Sequence, residues 1–214
     1  MAADRLAYRG QESEVPTLAL ASGVADLNGF SQRALSLCGS NLATVTNSGD
    51  LAELALTMEW NWPCTMDGAG TVGKVMNNRF DGSVMGPVNL TIEGSAMPTQ
   101  FLGGVSTSTG ALTVKNGGTV CIDKSGRWGG EVNVQADSKL VFADHAAFGK
   151  RTTLRLSGNG QVVLNSDANI RCRELYIDGV AAAPGRYSAA TDGTHFAGEG
   201  SLTVTGTGML LLVR

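Results

Sequence analysis

The sequence predicts a β-solenoid, an all-β fold in which similar coils stack into one rod. Three observations predict it: short apolar pairs alternate with polar residues, they recur every 20 to 22 residues, and turns containing Gly or Asn separate them. One coil of this size cannot bury its own apolar face, so stacked coils must share a core. The first row of pairs is Leu112/Val114, Val132/Val134, Leu154/Leu156 and Leu175/Ile177, and the second row is Val120/Ile122, Leu140/Phe142 and Val162/Leu164.

Three segments are expected along the chain. Residues 1–16 are polar and aperiodic and form a lead-in segment; residues 17–206 form the solenoid, which is most regular between Val88 and Gly179. In the strand that starts near Leu54, Trp60 and Trp62 share the parity of Leu54 and are expected in the core. Residues 207–214 contain a C-terminal apolar strand.

Composition limits the classes of function. The net charge is −3 and no stretch is strongly basic, so a nucleic-acid partner is not expected. The longest apolar run, Met209 to Val213, is far shorter than the ~20 residues that a membrane-spanning helix needs, so membrane insertion is not expected. The four cysteines lack CxxC or Cys/His spacing, so we expect neither a zinc site nor a cofactor. Cys38 and Cys64 could lie on neighbouring coils and form a disulfide.

The residues that point outward predict two kinds of surface. Those of the first row are polar or mixed and suit contact with water: Thr113, Asn133, Arg155, Tyr176 and Thr203. Those of the second row form a small apolar stripe: Cys121, Val141 and Val163. An apolar stripe is poorly suited to water, so either a segment of the same chain or another subunit is expected to cover it.

The last strand is the main candidate for assembly. Its residues are continuously apolar, which indicates that both faces are buried: Met209, Leu210, Leu211, Leu212 and Val213. It could cap its own terminal coil, or it could add to a neighbouring molecule and build a homo-oligomer or filament.

Two parts of the sequence resemble a known repeat. Near the beginning are Asp26-Leu-Asn-Gly-Phe-Ser-Gln32, Leu35-Ser-Leu37 and Thr44-Val-Thr-Asn-Ser-Gly49; near the end are Leu175-Tyr-Ile-Asp-Gly179, Pro184-Gly-Arg-Tyr187 and Gly198-Glu-Gly-Ser-Leu-Thr-Val204. They resemble the autotransporter-associated β-strand repeat of very large bacterial surface proteins and its closing segment. The resemblance implies a single right-handed parallel β-helix that is extracellular or displayed on the bacterial cell surface. The chain departs from it in carrying four cysteines and no recognisable secretion signal, so the export route stays open.

Few residues indicate catalysis or metal binding. Asp123, Asp144 and Asp167 each follow a second-row strand and could line one corner of the rod. We expect them to stabilise turns, with weak Ca²⁺ binding or catalysis as the alternatives. His145 and His195 are expected at the surface, because no nucleophile motif accompanies them.

A ligand or partner contact is expected at two aromatic residues. Trp128 lies in the sequence Gly126-Arg-Trp-Gly-Gly130 and is expected to be exposed, and Tyr187 ends the insertion 181–187, which is expected to project from the rod. The sequence thus predicts a noncatalytic extracellular solenoid with a structural or adhesive role that associates with copies of itself. A polysaccharide-processing or glycan-binding β-helix is the alternative.

Overall fold

The computed structural model confirms the parallel β-solenoid. It describes residues 18–57, 78–94, 99–123, 126–143, 146–149 and 151–206, which contain strands and turns but no helix. Accordingly, no helix in these ranges is suited to crossing a membrane. Each regular coil contributes one strand to each of three faces, and the strands are numbered in chain order.

The first face stacks eight strands in parallel. They are β1 (Leu18–Leu20), β4 (Leu37–Gly39), β7 (Arg79–Phe80), β10 (Gln100–Leu102), β13 (Thr119–Ile122), β16 (Lys139–Phe142), β19 (Gln161–Leu164) and β24 (Phe196–Gly198).

The second face comprises two sheets. The first consists of β2 (Gly23–Asp26), β5 (Ala43–Thr46), β8 (Ser83–Gly86), β11 (Val105–Ser108), β14 (Arg127–Trp128) and β17 (Ala147–Phe148). The second consists of β20 (Asn169–Cys172), β25 (Ser201–Val204) and β23 (Gly185–Tyr187).

The third face again has eight strands. They are β3 (Gln32–Ala34), β6 (Ala52–Leu56), β9 (Val88–Glu93), β12 (Leu112–Lys115), β15 (Val132–Val134), β18 (Thr153–Leu156), β21 (Glu174–Ile177) and β22 (Val180–Ala181).

The predicted apolar rows stack in register and form the core. Leu112, Val132, Leu154 and Leu175 are successive partners on the third face, and all four are buried. The second predicted row occupies the first face in the same manner, with Val120 beside Leu140 and Leu140 beside Val162. Because every coil presents its apolar side chains to the same interior, the core is one continuous cluster along the described rod.

Polar side chains also tie the coils together at the turns. The Asn47 side chain is 4% exposed; its Oδ1 accepts from Gly29 N at 2.6 Å and its Nδ2 donates to Asp50 O and to Pro87 O. It therefore joins the first three coils at one corner. Asp26 Oδ1 accepts from Ser48 N at 2.9 Å, which adds a second bond between the first two coils.

Gln100 fills a gap in the first face. Within the described residues, β7 has only two residues and pairs with β4 at Gly39 alone, so Leu37 has no register partner there. The fully buried Gln100 reaches Leu37 from β10: its Oε1 accepts from Leu37 N at 3.1 Å and its Nε2 donates to Leu37 O at 2.8 Å. The carboxamide thus replaces the missing peptide group of an intervening strand.

The segment 181–187 does not project from the rod, contrary to the sequence prediction. β22 pairs antiparallel with β21, and β23 pairs antiparallel with β25, so the segment covers the C-terminal edges of the second and third faces. Antiparallel pairing was not visible in the sequence because these strands have only two and three residues. We call residues 178–195 the C-terminal cap.

The cap is fastened to the preceding coil at Gly158. Asp178 Oδ1 accepts from Gly158 N at 2.7 Å, and His195 Nε2 lies 2.9 Å from Gly158 O. His195 Nδ1 lies 2.8 Å from Asp192 Oδ2. His195 is only 8% exposed, so the prediction that it lies at the surface is wrong; it serves to hold the cap in place.

The cap also changes the position of the last strands. After it, β24 returns to the first face and β25 pairs with β20, where Thr203 opposes Arg171. Thr203 was predicted in line with Tyr176, but it lies on the second face instead. Thr113, Asn133, Arg155 and Tyr176 do share one column, as predicted.

Candidate functional site

The predicted aspartate ladder does not form a single column. Ile122, Phe142 and Leu164 are register partners on successive coils. The residues level with Asp123 are therefore Ala143 and Asn165. Asp123 and Asp167 thus do not align, because Asp167 lies two positions beyond Asn165. Asp144 lies outside the described residues.

Asp123 instead belongs to an ion-pair cluster with Arg79. Arg79 Nη1 lies 2.7 Å from Asp123 Oδ2, and Arg79 Nη2 lies 3.0 Å from Asp81 Oδ1. Burial by itself would lower the pKa of Arg79, but the hydrogen bonds and charges of the two carboxylates outweigh it and raise this pKa. Gly103 lies between the two aspartates, and a Cβ there would overlap with Asp81 Oδ1. The cluster joins the coils of β7 and β13 across the coil of β10, and Asp123 shares the Arg79 guanidinium with Asp81.

No candidate metal centre is found in the described ranges, where no three His, Cys, Asp or Glu residues are grouped suitably. Asp167 is exposed in a turn. His145 lies outside those ranges, as do Trp60 and Trp62.

Trp128 is buried, not exposed as predicted. It is 1% exposed and occupies the inward column of the second face, between Ser106 and Phe148. The glycines on both sides of it hid the alternation of apolar and polar residues, so sequence parity could not reveal this orientation. Trp128 is therefore a core residue and cannot contact a ligand from the surface of this structure.

Tyr187 is half-buried and serves the cap. Its hydroxyl donates to Ala183 O at 2.8 Å, and its ring centroid lies 5.9 Å from that of Phe196. It is thus already engaged within the chain, which leaves it poorly placed as the predicted ligand contact.

The predicted apolar stripe is a real column of the first face. Phe101, Cys121, Val141, Val163 and Ala197 are successive register partners. Cys121 is 6% exposed, whereas Val141 and Val163 are half-buried. Burial, followed by the nearby charge of Asp123, raises the pKa of the Cys121 thiol to about 11. That a segment of the same chain or another subunit covers this stripe stays a prediction.

Two predicted features depend on residues outside the described ranges. The strand Met209–Val213 is one of them, so its role as a cap or donated strand stays a prediction. A disulfide between Cys38 and Cys64 is the other: Cys38 is buried, but Cys64 lies outside.

The first coil has free strand edges and exposed apolar side chains. Within the described chain, β1, β2 and β3 each pair with one neighbouring strand only. Four large apolar residues in the first two coils are exposed: Val24 at 68%, Phe30 at 43%, Leu42 at 72% and Leu51 at 59%. We call this surface the open end. Its apolar residues are scattered among turns in the sequence, so no periodic signal marked them as exposed.

A groove of about 410 Å³ opens at the opposite end, between the C-terminal cap and the last coil. Its floor includes the buried side chains of Leu175 and Val204, and Pro184 lies on the cap side. We call it the cap groove. No signal in the sequence marks the cap groove, because the residues that line it come from β21, the cap and the segment after β25. Only the tertiary fold brings these residues together.

The polar groups of the cap groove are one cation and one carboxylate. Arg173 Nε lies 3.4 Å from Glu174 Oε1, is buried, and makes no hydrogen bond within the described residues. Glu174 Oε2 accepts from Thr153 Oγ1 at 3.2 Å. The groove therefore combines an apolar floor with adjacent donor and acceptor groups.

Tyr176 also borders the groove, and its side chain lies in the outward column of the third face, next to Arg155. The guanidinium carbon of Arg155 lies 4.2 Å from the ring centroid and covers one face. On the other side the register partner is Ala181, an exposed residue whose methyl group is small.

No family model, curated protein or solved structure matches this chain. The β-solenoid fold is established by the registers of its own strands.

Proposed function

We propose that this chain is a noncatalytic structural or adhesive β-solenoid that acts outside the cell and associates with copies of itself. The observation that carries the proposal is the open end. There the edge strands β1–β3 present backbone N–H and C=O groups that have no partner on one side within the described chain. Such edges pair readily with other strands, which is why proteins usually cover them.

The exposed apolar residues support an interface at this end. Val24 and Phe30 belong to the first coil, and Leu42 and Leu51 flank strands of the second. Large apolar side chains exposed beside free strand edges offer a surface that a second copy of the chain could cover. Burying these side chains together with the strand edges would combine apolar contact with main-chain hydrogen bonding.

The asymmetry of the rod favours this end over the other. At the C-terminal end, antiparallel β22 and β23 cover the edges of two faces. Short covering strands hinder further strand addition. Two copies joined through their open ends would form a closed two-fold pair, because the same surface is used by both. A filament would need a second contact between copies. The prediction for this contact is that the strand Met209–Val213 adds to a neighbouring molecule.

A noncatalytic role is supported by how the charged residues are used. Arg79 is paired with Asp81 and Asp123, and Glu93 is paired with Arg33 at 2.9 Å and with Lys115 at 3.3 Å. All of these pairs except Arg79–Asp81 link different coils, so their evident use is to hold the rod together.

Location outside the cell rests on the resemblance to the autotransporter-associated β-strand repeat. Asp26 and Asn47, which belong to the motif that carries this resemblance, make the turn contacts between the first coils. These residues of the motif thus connect neighbouring coils, as residues of a stacked repeat are expected to do. This supports the proposal that the chain is related to that family.

The proposal is tested by sedimentation velocity over a range of concentrations, with electron microscopy of the same samples. We expect association in the unchanged chain and its loss when Val24→Lys and Phe30→Lys are combined, because charge at the open end opposes pairing. Val180→Lys is the matched control, since Val180 is 70% exposed but lies on the cap. A chain that remains monomeric at all concentrations, or a double variant that associates like the unchanged chain, would refute it.

A further inference from the structure

We propose that Asn116 is a site of spontaneous covalent modification, at which the side-chain amide is lost through attack by the backbone nitrogen of Gly117. The attack joins Gly117 N to Asn116 Cγ in a succinimide ring, and the Nδ2 amide group leaves as ammonia with the proton of Gly117 N. Water then opens the ring at either carbonyl and yields aspartate or isoaspartate. Asn116 lies in the turn between β12 and β13, so the inference does not depend on association through the open end.

The sequence offers three places where this reaction could occur. Glycine after asparagine favours the reaction, because no Cβ hinders the approach of the glycine nitrogen. Such pairs are Asn28-Gly29, Asn116-Gly117 and Asn159-Gly160, and all three asparagines are exposed. The hydrogen bonds around each pair decide which of them can react.

The backbone nitrogen of Gly117 is free to react. Asn116 and Gly117 occupy the central positions of a tight turn with φ of 55° and 79°, and Gly118 N closes this turn by donating to Lys115 O at 3.0 Å. The turn therefore does not use the N–H of Gly117, and that N–H makes no hydrogen bond within the described residues.

The side chain of Asn116 is held only weakly. Its Nδ2 lies 3.5 Å from Glu93 Oε2, which is beyond the usual length of a hydrogen bond, and its Oδ1 accepts no bond in the described part of the chain. The side chain can therefore rotate to bring Cγ to Gly117 N.

At Asn28 the reacting nitrogen is already bonded. Asn28 and Gly29 form the same kind of turn, with φ of 49° and 81°, but Gly29 N donates to Oδ1 of the buried Asn47 at 2.6 Å. Attack on Asn28 Cγ requires this bond to break first.

At Asn159 both reacting groups are held. The buried Gly160 closes its turn by donating from N to Ser157 O at 3.1 Å. The Asn159 side chain makes paired bonds to Asp137: its Oδ1 accepts from Asp137 N at 2.7 Å, and its Nδ2 donates to Asp137 Oδ1 at 2.7 Å. Each bond that must break before attack slows the reaction by about fivefold to tenfold.

The test is a time course of the full chain in mildly alkaline buffer, followed by peptide mapping with mass spectrometry. The readout is the mass change from amide to carboxyl at each asparagine, with isoaspartate separated from aspartate by chromatography. In the folded chain we expect Asn116 to react about tenfold or more faster than Asn28 and Asn159. The same time course in denaturant is the reference, since the three pairs should react at similar rates once their hydrogen bonds are lost.

Two variants connect the rates to the contacts. Asp137→Gly removes the carboxylate that holds Asn159 and suits the φ of 62° at this position, so it should raise the rate at Asn159 several-fold and leave Asn116 unchanged. Asn116→Gln moves the amide one methylene away from Gly117 N and should slow the reaction in this turn about tenfold or more. Melting temperatures verify that each variant is folded.

Two results would overturn the proposal. The first is a folded chain in which Asn116 reacts no faster than Asn28 and Asn159. The second is an equal preference for Asn116 in denaturant, because the local sequence and not the structure would then select the site. Neither result bears on the open end, so failure here leaves the self-association proposal to its own test.

Discussion

Replacing Gln100 by leucine tests whether a single buried carboxamide holds the first face together. Gln100 is fully buried and makes paired hydrogen bonds to both backbone groups of Leu37, which is 63 residues away in the sequence. Leucine has a similar volume and forms no hydrogen bond. The substitution thus removes the bonds while keeping most of the packing.

The cost follows from the groups that lose their partner. Leu37 N–H and Leu37 C=O would each lose the hydrogen bond to Gln100 in a buried site, whereas Asn78 O still accepts from Phe101 N at 2.7 Å. Each orphaned group costs about 1 to 3 kcal/mol, so we expect a loss of about 2 to 6 kcal/mol. For a chain of this size, a loss of about 4 kcal/mol corresponds to a melting temperature lower by about 8 to 16 °C.

The assay is denaturant unfolding followed by circular dichroism, together with thermal melting. Gln135→Leu is the control, because Gln135 is an exposed glutamine and its replacement should change the free energy of unfolding by less than about 0.5 kcal/mol. If Gln100→Leu is as stable as this control, the carboxamide does not replace the missing strand contact and the reasoning is wrong.

Three further predictions concern other parts of the rod. Burial by itself would raise the pKa of Asp192, but hydrogen bonds from the His195 side chain and from the backbone of His195 and Thr194 lower it below its ordinary value. Since the folded-state pKa is lowered, the stabilisation is complete above the unfolded value near 3.8 and is lost as the pH falls through the folded value. Melting curves from pH 7 down to pH 3 should therefore fall less steeply for Asp192→Asn, and equal slopes would contradict this. Gly103→Ala should destabilise the chain by about 1 to 3 kcal/mol, because the new methyl group overlaps with Asp81 in the ion-pair cluster. Gly185→Ala is its control, since a Cβ there meets no atom within 4 Å, and equal unfolding free energies for the two would refute the overlap. Cys121 and Cys172 should resist a thiol reagent at pH 8 until denaturant is added, because burial raises their thiol pKa values to about 11 and about 12. Peptide mapping by mass spectrometry of the labelled, unreduced protein reads both sites and also shows whether Cys38 and Cys64 are joined; rapid labelling of either buried thiol in the native protein would contradict the prediction.

The apolar alternation by itself determined the fold class and much of the core. Val132/Val134 and Leu140/Phe142 predicted two faces in the register that the structure shows, because side chains that alternate along a strand must separate interior from surface. The column of Cys121, Val141 and Val163 was predictable for the same reason.

The tertiary structure alone decided the second face at Trp128, the C-terminal cap and the cap groove. β14 has two residues flanked by glycines, which is too short for a parity signal, and β22 and β23 are fixed by the strands on which they pack. The Asp123 pairing with Arg79 joins residues 44 apart in the sequence, and Arg173, Tyr176 and Pro184 meet only where the cap folds over the last coil. The alternation of apolar and polar residues predicts which side of a strand faces the interior. Contacts between coils depend on how the coils stack, which the sequence of a single segment does not predict.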